Sequence, residues 1–116
     1  MATTTVNLKR NDTRPYLDAT LTDEDGTVVD LAGAGVTFTM VDAASRTSMK
    51  IENGECTILT SGGADGRVRY SWAGADTNTA GAYLGEFEVT FDDTSKLTVP
   101  TTDILVINIL EDYNAD

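Results

Sequence analysis

The chain has 116 residues, of which 8 are Lys or Arg and 19 are Asp or Glu, so its formal net charge at pH 7 is −11. This length suits one domain with a single hydrophobic core, and a hydrophobic content of 41% is too high for a disordered acidic tail. No apolar run approaches the roughly 20 residues that span a bilayer, and the N-terminus lacks the basic start and apolar stretch of a signal peptide. We therefore expect a soluble protein, or a soluble piece of a larger one.

The residue types that are missing exclude several kinds of chemistry. The sequence contains no histidine, which excludes Ser-His-Asp and Cys-His catalysis and removes the commonest zinc ligand. Cys56 is the single cysteine, so no intramolecular disulfide can form. It is either a reactive thiol or a small half-buried residue of a strand, and the second is favoured because no histidine is present to activate it. We expect no cofactor.

The basic residues are few and scattered, apart from a small N-terminal group formed by Lys9, Arg10 and Arg14. Nucleic acids and anionic membranes are disfavoured as partners, because both bind clustered Lys and Arg. Two interpretations of the N-terminal group stay open. It docks on an acidic neighbour, since such charges steer and orient partners, or it is a solvated strand end.

Apolar and polar residues alternate along most of the chain, and helical periodicity is almost absent, which indicates β-structure. Asp23-Glu24-Asp25-Gly26 predicts a tight turn, and Asn53-Gly54 predicts a hairpin. The segment 73–80 is small and polar and has room for one helical turn. The alternation predicts extended segments over residues 5–9, 16–22, 28–31, 36–41, 50–52, 55–59, 67–72, 82–91, 96–99 and 104–110.

Short strands separated by turn signals every 8–12 residues or so are typical of an antiparallel β-sandwich. The sequence shows no internal repeat or linker, so residues 1–116 are predicted to form a single domain. We expect a single immunoglobulin-like antiparallel β-sandwich of about seven to nine strands. Residues 1–4 and 112–116 are expected to be flexible ends.

The end of the segment 76–83 resembles a tyrosine corner, in which a tyrosine at the start of a late strand donates its hydroxyl to backbone a few residues upstream. Here Tyr83 follows Gly81 by two residues and Asp76 by seven. The alternative is an ordinary loop with a core tyrosine. The inter-sheet disulfide of antibody domains is absent, and Trp72 precedes the corner instead of lying on the third strand, so we expect packing without these two features.

Acidic residues raise the question of metal binding and acid–base catalysis. Asp23-Glu24-Asp25-Gly26 and Asp92-Asp93 offer oxygens to Ca²⁺, but the ligand spacing of an EF-hand is broken after Gly26, which favours solvated turns. Glu86 and Glu88 could form the carboxylate pair of a glycosidase, but the sequence indicates no apolar pocket beside them that would raise the pKa of one carboxyl. We expect neither a metal site nor catalytic residues.

The last predicted strand is apolar on both faces, whereas a sandwich strand normally leaves one face in water. One face is expected to fill the core with Leu105, Ile107 and Ile109. The opposite face is predicted to form an exposed stripe, which marks a contact surface, with Ile104, Val106 and Leu110. The alternative is cover within the chain by the N-terminal segment or by the loop 43–49.

Several short motifs occur in a characteristic order: KRNDTRP at 9–15, LDATL at 17–21, VVDLAGA at 28–34, VTFTM at 36–40, GRVRYSW at 66–72, AGAY at 80–83 and EFEVTF at 86–91. Together, over roughly residues 5–110, they resemble the N-terminal domain of the baseplate upper protein family of tailed bacteriophages. The resemblance implies an immunoglobulin-like sandwich that serves as a virion building block. In that family the domain docks onto the particle and attached regions carry receptor-binding parts.

The resemblance leads us to expect a non-enzymatic structural component of a tailed-phage virion, present in multiple copies and contacting other virion proteins. A baseplate or tail position is the first expectation. No coiled-coil or fibre region follows the sandwich in this sequence, so head decoration or neck attachment is the second. A carbohydrate-binding or adhesion module is the alternative, for which Tyr16 and Tyr113 are the aromatic residues expected outside. A small hydrolase would need a convergent carboxylate pair, which the sequence does not offer.

Overall fold

Nine strands and one short 3-10 helix form the secondary structure of the computed structural model, which describes residues 3–60, 63–100 and 104–111. The helix spans Gly74–Asp76, within the segment expected to hold one turn. The strands are β1 (Thr3–Lys9), β2 (Leu17–Thr20), β3 (Gly35–Asp42), β4 (Met49–Glu55), β5 (Thr57–Ile58), β6 (Arg67–Tyr70), β7 (Gly81–Thr90), β8 (Lys96–Val99) and β9 (Ile104–Leu110).

The strands form two sheets. The larger sheet has the order β1-β9-β7-β3-β4, with β8 also paired to β7, and the smaller sheet has the order β2-β6-β5. Because β3 occupies one edge of β7 along residues 83–90, β8 and β9 share the other edge, β8 at residues 87–90 and β9 at residues 81–85. β8 and β9 therefore lie one after the other along the same edge of β7. The expected β-sandwich is confirmed.

This connectivity corresponds to that of immunoglobulin-like domains, in which strands B, E and D pack opposite strands C, F and G. Here β2, β6 and β5 take the first three positions, and β3, β7 and the β8–β9 pair take the others. One pairing departs from the antiparallel expectation: β1 runs parallel to β9, with Thr3 opposite Ile104 and Lys9 opposite Leu110. The first strand therefore extends the edge of the larger sheet.

Alternate residues of the strands meet between the sheets and form the core. Phe38, on the third strand, is fully buried, and its ring centroid lies 5.2 Å from that of Tyr70 and 5.0 Å from that of Phe87. Trp72 packs edge-on against both Phe38 and Tyr70 and donates its indole N–H to the carbonyl of Pro15, 3.2 Å away. Phenylalanine thus occupies the central position of the third strand, and the tryptophan caps the cluster.

Asn53-Gly54 was predicted to turn a hairpin, and this prediction is wrong. Both residues lie within β4, where Met40 faces Ile51 while Phe38 faces Gly54, so β4 holds one more residue than β3 over this interval. Asn53 has a φ of 54°. Asparagine tolerates this left-handed conformation in a bulge as readily as in a turn, so the dipeptide signal does not distinguish the two.

Two residues of the N-terminal end expected to be flexible, Thr3 and Thr4, belong to β1 and pair with Ile104 and Leu105 of β9. The remaining residues expected to be flexible, 1–2 and 112–116, lie outside the described residues. The predicted extended segment 28–31 contributes a single bridge, between Thr22 and Val28.

Candidate functional site

A row of apolar side chains crosses the outer face of the larger sheet. The strand register places Val41 opposite both Leu84 and Met49, and Leu84 opposite Val106. These four residues, from β4, β3, β7 and β9, are called the apolar row below. Val41, Leu84 and Val106 are half-buried and Met49 is 56% exposed. Residues directly opposite one another in a sheet pack side by side, so the row is one continuous surface.

A shallow groove of about 200 Å³ borders the apolar row. Two members of the row, Val41 and Leu84, line it together with Pro100 and Ile104. Ile104, predicted as an interface residue, therefore belongs to the same surface as Val106. Arg46 and Glu86 also line the groove and supply its two charges.

The outer face becomes acidic beyond the apolar row. Glu86 lies opposite Thr39 and Glu88 opposite Thr37, both on the outward-facing side of β7. Glu88 has a loose ion pair with Lys96, at 3.7 Å between Nζ and Oε1. The face therefore combines an apolar half with a carboxylate-bearing half. A partner that matches it would present an apolar patch flanked by basic residues.

Leu110, predicted to continue the stripe of Ile104 and Val106, is separated from them. The side chains of Asn7 and Asn108 form an amide–amide hydrogen bond of 3.2 Å on this face, between Val106 and Leu110. Leu110 is 46% exposed and lies near the end of the sheet. The apolar surface runs across the strands instead of along β9, which is why the prediction contained Val106 and Ile104 but missed three members of the row.

Two of those three residues, Val41 and Leu84, were within reach of the sequence, whereas Met49 was assigned to the loop 43–49. The alternation that places Phe38 and Met40 inside also places Val41 outside, and the same reasoning applies to Leu84 beside Tyr83. An apolar residue at an outward position was the available signal. That these residues join into one row depends on the register between strands, which the sequence alone does not supply.

The intramolecular cover considered for this face is not provided by β1, which lies beside β9 in the plane of the sheet. The loop 43–49 contributes the side chain of Arg46 to the groove. At its start the loop continues the sheet, since Ala43 N–H donates to the carbonyl of Ala82 at 3.0 Å. Among the described residues, neither β1 nor the loop 43–49 covers the apolar row, so its outward side is open.

The members of the predicted basic patch, Lys9, Arg10 and Arg14, have different partners, although Lys9 and Arg14 line the same shallow groove. Lys9 Nζ donates to the carbonyl of Glu111 at 3.4 Å, and Arg10 Nε lies 3.7 Å from the Glu111 carboxylate. Arg14 points to a different group: it donates to the Tyr16 hydroxyl at 3.2 Å, and its guanidinium lies 5.2 Å from the centre of that ring. The docking role expected for Lys9, Arg10 and Arg14 stays a prediction.

A second basic cluster, which sequence spacing did not reveal, lies on the outer face of the smaller sheet. Arg69 lies 4.8 Å from the centre of the Tyr16 ring and donates twice to the Asp18 carboxylate, at 2.7 and 3.0 Å. These hydrogen bonds hold the pKa of Asp18 below its usual value. Arg67 and Arg69 project outward from β6, and Arg14 shares the Tyr16 ring with Arg69, so this face carries three guanidinium groups in a chain of net charge −11.

Tyr83 has the contacts of a tyrosine corner. It is buried at the start of β7, and its hydroxyl donates to the carbonyl of Thr79 at 2.8 Å, four residues upstream. Gly81 has a φ of 153°, a conformation that side-chain-bearing residues rarely adopt. Burial raises the pKa of the Tyr83 hydroxyl, so it stays a donor at physiological pH.

Asp76, assigned to the same corner, has a different partner. Its carboxylate accepts hydrogen bonds from the Tyr70 hydroxyl at 2.7 Å and from the Ala73 backbone N–H at 2.8 Å. Burial, followed by the neighbouring Asp76 carboxylate, raises the pKa of Tyr70. Asp76 therefore joins the 3-10 turn to the aromatic cluster, and the proximity of Asp76 to Tyr83 in sequence does not correspond to a contact.

Cys56 is half-buried between β4 and β5, and its thiol lies 3.9 Å from the carbonyl of Gly54. Burial raises the pKa of this thiol to about 12, which keeps it protonated and a weak nucleophile at neutral pH. These observations favour the interpretation as a small packing residue.

The acidic segments form turns. The Asp23 carboxylate accepts hydrogen bonds from the backbone N–H groups of Asp25 and Thr27, both at 3.0 Å, and Gly26 has a φ of 85°. Asp93 accepts from the backbone and the hydroxyl of Ser95, which lowers its pKa. Among residues 3–60, 63–100 and 104–111, no three His, Cys, Asp or Glu side chains are grouped to hold a metal ion.

No family model matches the sequence, and no curated protein matches it. None of the helices in the described part of the chain is long and apolar enough to cross a membrane. The candidate site is therefore defined by its own geometry: an open apolar row on the larger sheet, bordered by carboxylates on one side.

Proposed function

We propose that this chain is a non-enzymatic structural component of a tailed-bacteriophage virion, which docks onto the particle through the outer face of its larger sheet. The observation that carries the proposal is the apolar row of Met49, Val41, Leu84 and Val106, which lies on a sheet face that ordinarily faces water. Exposed apolar surface of this kind marks contact sites. The resemblance to baseplate upper proteins supports the virion as the place of docking.

The partner we propose is another virion subunit that presents an apolar patch flanked by lysine or arginine. The apolar row supplies the centre of the interface, and Glu86 and Glu88 supply its charged border. Burial of apolar surface provides most of the affinity in such contacts, and the border charges fix orientation. A second copy of this chain fits less well, because it brings the same carboxylates and a further net charge of −11.

Repeated copies on a symmetric particle gain avidity from the lattice, so a modest contact per copy is enough for stable attachment. We place the chain first in the baseplate or tail and second on the head or neck. The acidic surface keeps free copies apart before assembly.

A carbohydrate-binding role would use exposed aromatic rings. Tyr16 is half-buried, and two guanidinium groups lie about 5 Å from its ring centre; Tyr113 lies outside the described residues. Neither residue adds support to that alternative, and the virion role is the function proposed.

The test is incorporation of variants into particles of the phage that encodes this chain. We expect Val106→Asp and Leu84→Asp each to reduce incorporation at least about tenfold, because a carboxylate buried against apolar surface without a partner costs more than the 1.4 kcal/mol that this factor represents. Thr57→Asp, which adds the same charge at an exposed position of the smaller sheet, is the matched control and should incorporate normally. Normal incorporation of both folded row variants would contradict the proposal.

A further inference from the structure

The outer edge of β2 is unpaired among the described residues. On its other edge β2 pairs with β6, where Leu17 faces Tyr70 and Ala19 faces Val68, and Leu21 N–H donates to the carbonyl of Gly66 at 2.8 Å. In an antiparallel pair, alternate residues direct both backbone groups to the same neighbour. Residues 17, 19 and 21 therefore face β6, and the N–H and C=O groups of Asp18 and Thr20 point away from it.

A groove of about 290 Å³ lies directly beside this edge. It exists because the smaller sheet has three strands and the larger has six, so the inner face of the larger sheet extends past β2. The whole length of β2 forms one wall of the groove. The opposite wall is mainly apolar; besides Thr4 it is formed by Val6, Phe87, Val99, Pro100, Ile104 and Leu105.

We propose that this edge accepts an extended segment of another polypeptide, which adds a fourth strand to the smaller sheet beside β2. Strand addition uses the backbone groups of the edge for affinity and pockets for alternate side chains for specificity. The free groups of Asp18 and Thr20 supply the first requirement, and the groove supplies the second. Its volume lies just below the usual range for small-molecule sites and suits a few aliphatic side chains.

The charges beside the edge define the chemistry of the segment. Side chains of an added strand alternate between the two faces, so every second residue enters the groove and is apolar. The others lie on the outer face directly beside Asp18 and Thr20, with Arg69 and Arg67 opposite these two residues on β6, one strand further in. Asp18 is already engaged by Arg69, so the remaining cationic side chains of this face, Arg14 and Arg67, are the ones that an acidic residue of the added strand would match. The matching segment therefore alternates apolar with acidic residues.

A second copy of the chain is a poorer occupant, since pairing β2 with β2 would bring two arginine clusters together. In the proposed virion, the donor would be a neighbouring subunit. The inference rests on the proposed function only for the identity of the protein that donates the strand. Whether the edge of β2 accepts a strand is tested in solution, without particles.

The probe is a short capped peptide in which valine alternates with aspartate, and the control peptide has the same composition with the valines and aspartates in two blocks. Binding is followed by amide chemical shifts and hydrogen exchange of the full chain. We expect saturable binding of the alternating peptide, with slowed exchange of the Asp18 and Thr20 amides. Equal binding of both peptides, or no protection of these two amides, would overturn the proposal.

Two variants separate backbone pairing from general surface binding. Thr20→Pro removes an outward N–H and blocks the edge, and should weaken peptide binding at least about tenfold, whereas Thr20→Val keeps the N–H and should bind normally. Because proline can also disturb folding, Ala19→Leu provides a second test: its side chain fills the groove from within and should also weaken binding. Unchanged binding by folded Thr20→Pro or by Ala19→Leu would refute strand addition. Self-association of the free chain that Thr20→Pro abolishes would overturn the proposed occupant and assign the edge to a second copy.

Success or failure of peptide binding at β2 does not test docking through the larger sheet. The apolar row and the β2 edge lie on different sheets, so Val106→Asp should leave peptide binding intact. Loss of particle incorporation in Val106→Asp together with failure of peptide binding would retain the proposed function and reject this inference alone.

Discussion

Three buried or half-buried groups, the Cys56 thiol and the hydroxyls of Tyr70 and Tyr83, hold their protons more tightly in the folded chain than in a solvated one. Burial is the first cause in each case, and it raises all three pKa values. Charging any of them inside the sandwich would place an anion in a poorly solvated site. Each group thereby links the stability of the sandwich to pH.

We expect the free energy of unfolding to fall as pH rises above about 9. An unfolded chain ionises its cysteine near 9.0 and its tyrosines near 10.0, while the folded chain keeps these groups neutral. A raised folded pKa contributes stability that is complete below the unfolded pKa and is lost above it. Urea unfolding between pH 8 and 10 measures this. Cys56→Ser should show a shallower decline, and an equal slope in both proteins would contradict the assignment to Cys56.

Tyr83→Phe tests the tyrosine corner. It keeps the buried ring and removes the hydrogen bond to the Thr79 carbonyl, so we expect a loss of about 0.5 to 1.5 kcal/mol in the free energy of unfolding. Tyr16→Phe removes a hydroxyl that is bonded to the exposed Arg14 and is the control, with a loss under about 0.5 kcal/mol. Equal effects of the two substitutions in urea unfolding would speak against a structural role for the corner.

At the scale of single residues, the sequence identified Tyr83 as a tyrosine-corner candidate. The signal was local in sequence: Tyr83 follows Gly81 by two residues and stands at the start of a long strand. The partner of Asp76 was not predictable in the same way. Its carboxylate bonds Tyr70, which precedes it by six residues across a turn, and only the folded chain shows which of two nearby tyrosines approaches it.

At the scale of single strands, the bulge in β4 places Gly54 against an aromatic ring. A Cβ added at Gly54 would lie 2.6 Å from Tyr70 Cε1. The backbone therefore approaches the aromatic cluster more closely than any side chain allows.

Gly54→Ala should lower the free energy of unfolding by about 1 to 3 kcal/mol, since the ring must move within a packed core. Gly35→Ala is the matched control, because a Cβ at Gly35 meets nothing within 4 Å. Thermal or urea unfolding of the two variants makes the comparison. A Gly54→Ala protein as stable as Gly35→Ala would show that the bulge does not constrain this position.

Period-2 alternation predicted most strands and the inward faces of β3, β6, β7 and β9, because alternation follows directly from the geometry of an extended chain. It did not predict the pairing of strands. The parallel β1–β9 edge, the apolar row and the open edge of β2 all depend on which strands lie side by side, and that is set by contacts far apart in sequence.

At the scale of the whole molecule, charge is distributed unevenly over the two faces of the sandwich. The larger sheet combines the apolar row with Glu86 and Glu88, and the smaller sheet carries Arg14, Arg67 and Arg69. The composition gives a net charge of −11 but not this division. We infer that the two faces suit different partners, a basic-bordered apolar surface on one side and an acidic extended segment on the other.

Docking through the larger sheet is tested most directly by locating the chain in a reconstructed particle of the phage that encodes it. The account predicts a sandwich whose larger sheet lies against a neighbouring subunit, with Val41, Leu84 and Val106 covered and Met49 in contact. A particle that lacks the chain, or one in which this face lies open to solvent while another surface makes the attachment, would contradict it.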